Sequence, residues 1–119
     1  MLKEKRGLIR LATKIGFTYK AKGATGREKK AVSKDISPGG IRALVDKQIK
    51  KGDWLEIGML IPRIKKPIPA IAKVIWTADR EAGKINAGIK FEEIDTGMKN
   101  KFLEHLCELI FSELERSKV

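Results

Sequence analysis

The segment Ile85–Phe91 has the sequence INAGIKF, in which an apolar side chain occupies every second position. Successive side chains of a β-strand point to opposite faces, so this period of two predicts a strand with one face in a core. Residues 68–77 repeat the pattern. Residues 79–84, which include Gly83, separate the two segments and predict a hairpin loop. The two segments therefore predict an antiparallel β-fold.

Four segments upstream show the same alternation. They cover residues 9–20, 31–36, 41–46 and 54–61. The connections between them are polar or contain glycine, and the longest, residues 22–30, predicts an exposed hairpin loop. Six short antiparallel strands with turns between them predict a mainly β protein that forms a small barrel or curled sheet.

Three large aromatic residues, Trp54, Trp76 and Phe91, fall within these alternating segments. A strand with alternating apolar side chains packs one of its faces into the core. We therefore expect all three side chains in the core and assign none of them a role in ligand binding.

The periodicity changes after residue 95. Apolar residues then follow helical spacing, at Met98, Phe102, Leu106, Leu109, Ile110 and Leu114. Asp95 or Thr96 can cap the start of such a helix, because a side-chain oxygen there accepts hydrogen bonds from the first free backbone N–H groups. The sequence predicts a C-terminal helix over residues 95–118 that covers one open end of the barrel.

The chain of 119 residues has the length of one domain. We predict a single domain over residues 1–119, with the barrel in residues 11–94. No apolar run approaches the roughly 18 residues that cross a bilayer, so we expect a soluble, cytoplasmic protein. Cys107 is the only cysteine and His105 the only histidine, which excludes an internal disulfide and a Cys/His zinc site. We expect neither a metal nor a cofactor.

The net charge of +11 is concentrated near the N-terminus. Residues 1–34 carry +9, residues 35–66 carry +3, and residues 67–119 carry −1. A surface of one sign attracts partners of the other sign through its summed field. The first third of the chain therefore predicts an anionic partner, although a solvated face that keeps the protein soluble explains the same charge.

Two short polar motifs accompany this charge. Arg6 and Arg10 form an Arg-x-x-x-Arg pair at the start of the first predicted strand. Asp35-x-Ser37-x-x-Gly40 lies between the second and third predicted strands. The second motif puts a carboxylate, a hydroxyl and a glycine at one turn, where a ligand meets an acceptor, a donor and open backbone. We predict that the two motifs together form one binding site.

With these motifs the sequence resembles the PilZ domain family, whose members are bacterial receptors for cyclic di-GMP. The resemblance extends over nearly the whole chain and includes the strands Val74–Trp76 and Ala87–Phe91 and the C-terminal helix. It implies a six-stranded antiparallel barrel with the helix over one end. It places the ligand site on the outer barrel surface, where the arginine segment folds against the turn at Asp35–Gly40. It also implies a receptor without catalytic activity.

The chemistry of a cyclic dinucleotide suits these side chains. An arginine fork matches the N7 and O6 acceptors of guanine and also binds phosphate, which are the roles expected of Arg6 and Arg10. The Asp35 carboxylate is a complementary acceptor for the guanine N–H donors. Ser37 can donate to a phosphate oxygen or steady the turn, and Gly40 permits close approach. We expect cyclic di-GMP as the ligand.

Residues 1–10 are expected to be flexible without ligand, because residues 1–6 bury little apolar surface and carry charges that repel. Binding would order this segment and change the surface offered to a downstream protein partner, which the sequence does not identify. The resemblance suggests that Lys5 influences ligand stoichiometry, but a lysine there leaves one ligand or a stacked pair open.

Other interpretations remain open at this stage. The motif residues, taken singly, are also explained as solvated arginines, a side-chain-stabilised turn and a glycine with positive φ. A PilZ-like adaptor that binds proteins without nucleotide is the first alternative. A nucleic-acid-binding barrel is the second and the less favoured, because few aromatic residues fall on the polar strand faces. No group of residues supports an enzyme.

Overall fold

The computed structural model describes residue 11 and residues 13–116, with side chains up to residue 112. The predicted flexible segment of residues 1–10 lies outside the described residues. The elements are β1 (Gly16–Ala21), β2 (Lys29–Ser37), β3 (Gly40–Asp46), β4 (Trp54–Leu60), β5 (Ile68–Glu81), β6 (Lys84–Ile94) and α1 (Lys99–Arg116). The strands close into an antiparallel barrel in the order β1-β2-β3-β6-β5-β4. The predicted six-stranded barrel with a C-terminal helix is confirmed.

The alternation read from the sequence separates the inside of the barrel from the outside. Most side chains with the predicted inward phase are buried. They include Phe17 and Tyr19 on β1, Ile41, Ala43 and Val45 on β3, Leu55, Ile57 and Met59 on β4, and Ala87, Ile89 and Phe91 on β6. Burial of this apolar surface is the main stabilising contribution to the fold.

The first strand is shorter than the predicted segment of residues 9–20, because a buried serine interrupts its pairing with β2. The Ser33 hydroxyl accepts a hydrogen bond from the Ile15 N–H at 2.8 Å. It donates another to the Thr13 carbonyl at 2.7 Å. These side-chain bonds replace part of the backbone ladder, so β1 begins only after Ile15. Leu11 pairs with β2 through an isolated bridge and is buried as predicted.

The prediction that all three large aromatic residues are buried is wrong for both tryptophans. Trp54 is 42% exposed and Trp76 is 38% exposed, whereas Phe91 is buried. Trp54 lies on the outer face of β4, opposite in phase to the buried Leu55. Trp76 follows a register shift between β5 and β6, in which Val74 pairs with Ile89 and Trp76 with Gly88. The extra residue of such a bulge turns the following side chain to the other face.

The apolar side of the C-terminal helix packs against the barrel core. Phe102 and Leu106 are buried, and the Phe102 ring packs edge-on against Phe91 with centroids 5.6 Å apart. The helix begins at Lys99 rather than at residue 95. A turn precedes it, in which the Met98 N–H donates to the Asp95 carbonyl oxygen. In the part of the chain that the structure describes, no helix is long and apolar enough to span a bilayer.

Candidate functional site

The Asp-x-Ser-x-x-Gly motif is a tight β-hairpin, because β2 and β3 are joined by only Pro38 and Gly39. Ser37 pairs with Gly40 at the end of the ladder. The prediction that the motif forms a turn between two strands is therefore right only for Pro38 and Gly39. Asp35, Ser37 and Gly40 all lie within strands, so regular backbone hydrogen bonds fix their positions.

Asp35 and Arg42 form an ion pair on the outer face of this hairpin. A register shift between Ser33 and Asp35 resets the alternation, so Asp35 faces outward while Ile36 is buried. The Arg42 Nε donates to the Asp35 Oδ2 at 2.7 Å. The Asp35 side chain is only 13% exposed and the Arg42 side chain 45%. The pair therefore presents a cation to solvent above a carboxylate that is held in place.

Ser37 is buried at the end of the hairpin. Its side chain has no exposed surface, and its hydroxyl oxygen accepts a hydrogen bond from the Gly39 N–H at 3.1 Å. The Gly39 carbonyl oxygen in turn accepts from the Phe91 N–H on β6 at 2.8 Å. These two bonds hold the tip of the hairpin against the barrel wall.

Gly40 is also buried, and it packs against the backbone of β6. A Cβ atom there would overlap the Ile89 carbonyl oxygen and would lie 3.2 Å from the Lys90 Cα. Its φ angle is not positive, unlike that of Gly83 at another hairpin. The close approach of two strands, rather than an unusual backbone angle, is what requires glycine at this position.

A row of outward-facing residues continues across the barrel from this ion pair. Arg42 on β3 pairs with Gly88 on β6, and Gly88 pairs with Trp76 on β5. The Trp76 indole lies directly over Gly88, because a Cβ at residue 88 would overlap the indole ring and lie 2.8 Å from its Cδ1. We name the surface formed by Asp35, Arg42, Gly88 and Trp76 the outer row. It brings a carboxylate, a guanidinium and an indole together over four neighbouring strands.

Lys34 borders the outer row and is engaged by other side chains. Its Nζ donates to the Asn86 Oδ1 at 2.7 Å and to the Glu81 Oε1 at 3.0 Å. These bonds connect β2 to the β5–β6 hairpin, on the far side of β3. Lys34 therefore supports the hairpin that carries Trp76. Arg6 and Arg10, the other predicted site residues, lie outside the described residues.

The outer row has the functional groups for binding a planar heterocycle with an anionic substituent. The Asp35 carboxylate accepts N–H donors. Arg42 has five N–H donors and gives one of them to Asp35. The face of an indole stacks on aromatic rings and cations. Within the described ranges, no group of three or more histidine, cysteine or acidic side chains is arranged to hold a metal ion.

Sequence reasoning missed Arg42 and Trp76. The Arg42 position follows from the hairpin itself: if Ser37 pairs with Gly40, then Asp35 pairs with Arg42 two positions further along. The pairing of Asp35 with Arg42 therefore follows from the length of the loop alone. Trp76 depends on the bulge in β5, for which the alternating sequence gives no signal.

Comparisons with known proteins agree with this architecture. A family model described as PilZ domain matches residues 3–108. No curated protein matches the sequence. The solved structure of the Bacillus subtilis inhibitor of motility (MotI/DgrA) is similar, with a TM-score of 0.72 and 19% sequence identity over 95% of this chain and 53% of that one. This chain therefore spans about half the length of the inhibitor.

Two structures of Escherichia coli YcgR are also similar. The PilZ domain of YcgR with c-di-GMP has a TM-score of 0.70 and 14% identity, over 97% of this chain and 98% of that one. The structure of YcgR in complex with c-di-GMP has a TM-score of 0.68 and 15% identity, over 97% of this chain and 50% of that one. At these identities the similarity shows a shared fold. Because the family match covers most of the sequence and the barrel has the same architecture, the chain belongs to the PilZ domain family.

Proposed function

We propose that this protein is a non-catalytic receptor for cyclic di-GMP that binds the nucleotide on the outer row together with Arg6 and Arg10. The observation that carries the proposal is the fixed Asp35–Arg42 pair beside the exposed Trp76 on one face of a PilZ barrel. The ligand named for the structurally similar YcgR domain supports the choice of nucleotide.

Each side chain of the outer row has a proposed role. Asp35 accepts the N–H donors of one guanine, and Arg42 holds the carboxylate in place and adds positive charge near the phosphates. The Trp76 face supports a guanine ring by stacking. Ser37 and Gly40 contribute to the site by shaping the hairpin. The Ser37 hydroxyl stabilises its turn, and Gly40 allows it to pack closely against β6.

Arg6 and Arg10 supply the remaining contacts in this proposal. Cyclic di-GMP carries two phosphate charges, and the +9 charge of residues 1–34 increases its rate of association. Arginine forks bind both phosphate and the guanine N7 and O6 atoms. Closure of residues 1–10 over the outer row then changes the surface that a downstream protein meets, which is how we propose the signal is passed on.

Titration calorimetry with cyclic di-GMP tests the proposal on the wild-type chain and on Arg6→Ala and Arg10→Ala. Hydrogen bonds to charged groups contribute about 1.5–3 kcal/mol, so each variant is expected to bind roughly 10- to 100-fold more weakly. Arg27→Ala makes the same charge change in the exposed loop after β1 and is expected to bind like the wild type. The same titration gives the stoichiometry, one ligand or a stacked pair.

Absence of binding by the wild-type chain would overturn the receptor function and favour an adaptor that acts through protein contacts alone. Hydrogen exchange tests the conformational step separately. Backbone amides of residues 2–10 are expected to exchange more slowly in the presence of saturating nucleotide. If these amides exchange at the same rate while the nucleotide binds normally, then the protein is a receptor that signals without ordering residues 2–10.

A further inference from the structure

A second surface lies on the barrel wall away from the outer row. It is a groove of about 930 Å³ formed by the outer faces of β4 and β5, the loop between them, and the connection from β6 to α1. Its apolar lining includes Gly58, Pro67, Pro69, Ile71 and Ile94. None of the residues that line it belongs to the outer row. The groove is large enough for several side chains of a peptide.

Gly58 lines the groove where a side chain would meet both Thr18 and Pro67. A Cβ there would lie 2.7 Å from the Thr18 hydroxyl oxygen and 3.2 Å from the Pro67 Cβ. Pro67 and Pro69 are exposed beside it. Proline has no backbone N–H, so this stretch of the groove offers ring surface to a ligand.

The rim of the groove is acidic although the protein is strongly basic. Five carboxylates line the groove, from Glu28, Glu56, Glu92, Glu93 and Asp95, against the two lysines Lys66 and Lys99. The net charge of the whole chain is +11. The groove is therefore a local negative region that attracts cations, while the rest of the surface repels them.

Two of these five carboxylates lie near lysines, Glu28 accepts a hydrogen bond from the Thr18 hydroxyl at 3.5 Å, and two have no such partner among the described residues. Glu56 lies 3.7 Å from Lys20, and Glu92 lies 3.8 Å from Lys90. Glu93 and Asp95 form no salt bridge with any other residue that the structure describes. Their charges are therefore available for a partner that fills the apolar floor.

The surface continues from the groove to an exposed tryptophan. Glu56 lines both the groove and a smaller depression of about 550 Å³ that Trp54 also lines. Trp54 is 42% exposed, and the Lys73 Nζ lies 5.6 Å from the centre of its ring. Exposed aromatic side chains beside a groove are common anchors of protein interfaces.

We propose that this groove binds a short, extended, basic segment of a partner protein, with aliphatic side chains on the apolar floor and lysine or arginine side chains at Glu93 and Asp95. Charge complementarity selects this occupant, because an acidic or neutral segment would leave Glu93 and Asp95 without partners. The proposal concerns a surface separate from the outer row, so it does not depend on nucleotide binding.

A labelled heptapeptide of alternating lysine and leucine is the probe, and fluorescence anisotropy measures its binding to the full chain. The wild-type protein is expected to bind it, and to bind about 10-fold more weakly a peptide with serine in place of leucine. A peptide with glutamate in place of lysine is expected not to bind. Because the protein is positively charged overall, non-specific attraction predicts the opposite order for the two charged peptides.

Glu93→Lys is expected to weaken binding of the lysine–leucine peptide at least about fivefold. Glu104→Lys makes the same charge change at an exposed position on α1 outside the groove and is expected to leave binding unchanged. Trp54→Ala tests whether the exposed Trp54 beside the groove contributes to the same binding surface. It is expected to weaken binding of the lysine–leucine peptide severalfold.

Three results would overturn the proposal: no binding by the wild-type chain, equal losses in Glu93→Lys and Glu104→Lys, or a self-association that Glu93→Lys abolishes. The last result would assign the groove to a second copy of the chain. Calorimetry of Glu93→Lys with cyclic di-GMP is expected to match the wild type, so loss of peptide binding is distinguished from loss of the nucleotide site.

Discussion

The Arg42 Nε donates to the Asp35 Oδ2 at 2.7 Å, across the two strands that the Pro38-Gly39 turn joins. The carboxylate is therefore oriented before any ligand arrives, since the strand ladder and the guanidinium both restrict it. A preorganised acceptor loses little conformational entropy on binding. In the proposed site, Asp35 is therefore the described residue whose alteration we expect to affect nucleotide affinity most directly.

Asp35→Asn is expected to weaken cyclic di-GMP binding roughly 10- to 100-fold, because an amide replaces a charged acceptor. Its effect on folding is expected to stay within about 1 kcal/mol, since the Arg42 side chain is 45% exposed and solvent screens the pair. Calorimetry and urea unfolding measure the two effects. Asp46→Asn is the matched control, because Asp46 pairs with Lys29 at the other end of the same hairpin. Equal affinity losses in both variants would contradict the role of Asp35.

Gly88→Ala is expected to displace the Trp76 indole, because the added methyl group occupies space that the ring fills. Trp76 is partly exposed and can rotate away, so the barrel is expected to remain folded. In a Trp54→Phe background, Trp76 is the only tryptophan and reports on the outer row by fluorescence. We expect cyclic di-GMP to change this fluorescence, and Gly88→Ala to reduce both the change and the affinity about 10-fold.

Gly16→Ala is the control for this substitution. A Cβ at residue 16 meets only the Leu60 side chain, at an ordinary distance of 3.5 Å. Its affinity and fluorescence change are therefore expected to match those of the Trp54→Phe parent. If Gly88→Ala binds as tightly as Gly16→Ala, then Trp76 does not support the ligand.

The two tryptophans show how far the sequence alone determines the fold. The strict alternation of Leu55, Ile57 and Met59 fixes the inner face of β4, so the outward position of Trp54 was already contained in the pattern. The prediction that Trp54 is buried rests on its place within an alternating strand and does not consider which face of the strand it occupies. Trp76 is different, since the bulge that turns it outward depends on pairing with β6.

The same distinction applies to the candidate site. Local patterns predicted the six strands, the helix and the motif residues, because those features depend on neighbours in the sequence. The closeness of Gly40 to the Ile89 carbonyl, and of Gly88 to Trp76, depends on contacts between strands. Such contacts are set by register and by barrel closure, which alternation does not specify. Trp54 and Trp76 also place two aromatic side chains on outer strand faces, where the sequence predicts few.

Gly40→Ala is expected to destabilise the barrel, in contrast to Gly88→Ala. The added methyl group would overlap the backbone of β6 at Ile89, which cannot rotate away as a side chain can. Overpacking of this kind costs about 1–3 kcal/mol. Urea unfolding measures the loss, with Gly16→Ala again as the control. A free energy of unfolding equal to that of the control would show that β3 and β6 separate easily at this point.

Tyr19 is expected to make the free energy of unfolding of the barrel vary with pH in the alkaline range. The residue is 2% exposed, and its hydroxyl oxygen accepts a hydrogen bond from the Asp46 N–H at 2.9 Å. Burial raises the pKa of Tyr19 above its usual 10.0, because the interior disfavours the phenolate. The unfolded chain therefore loses this proton at a lower pH than the folded chain. The contribution of Tyr19 to stability is complete below pH 10.0 and falls as the pH rises towards the folded pKa.

Tyr19→Phe isolates this effect, since all other alkaline titrations are shared by the two proteins. At neutral pH the variant is expected to be less stable by about 1 kcal/mol, through loss of the hydrogen bond to Asp46. Urea unfolding of both proteins at neutral pH and at about pH 11 gives the difference in the free energy of unfolding at each condition. We expect the difference in the free energy of unfolding between the wild type and the variant to shrink or reverse at the higher pH. Only in the wild type does folding then require a phenol to stay protonated in the core. An advantage that stays constant across this range would show that the Tyr19 hydroxyl ionises equally well in the folded and unfolded chains.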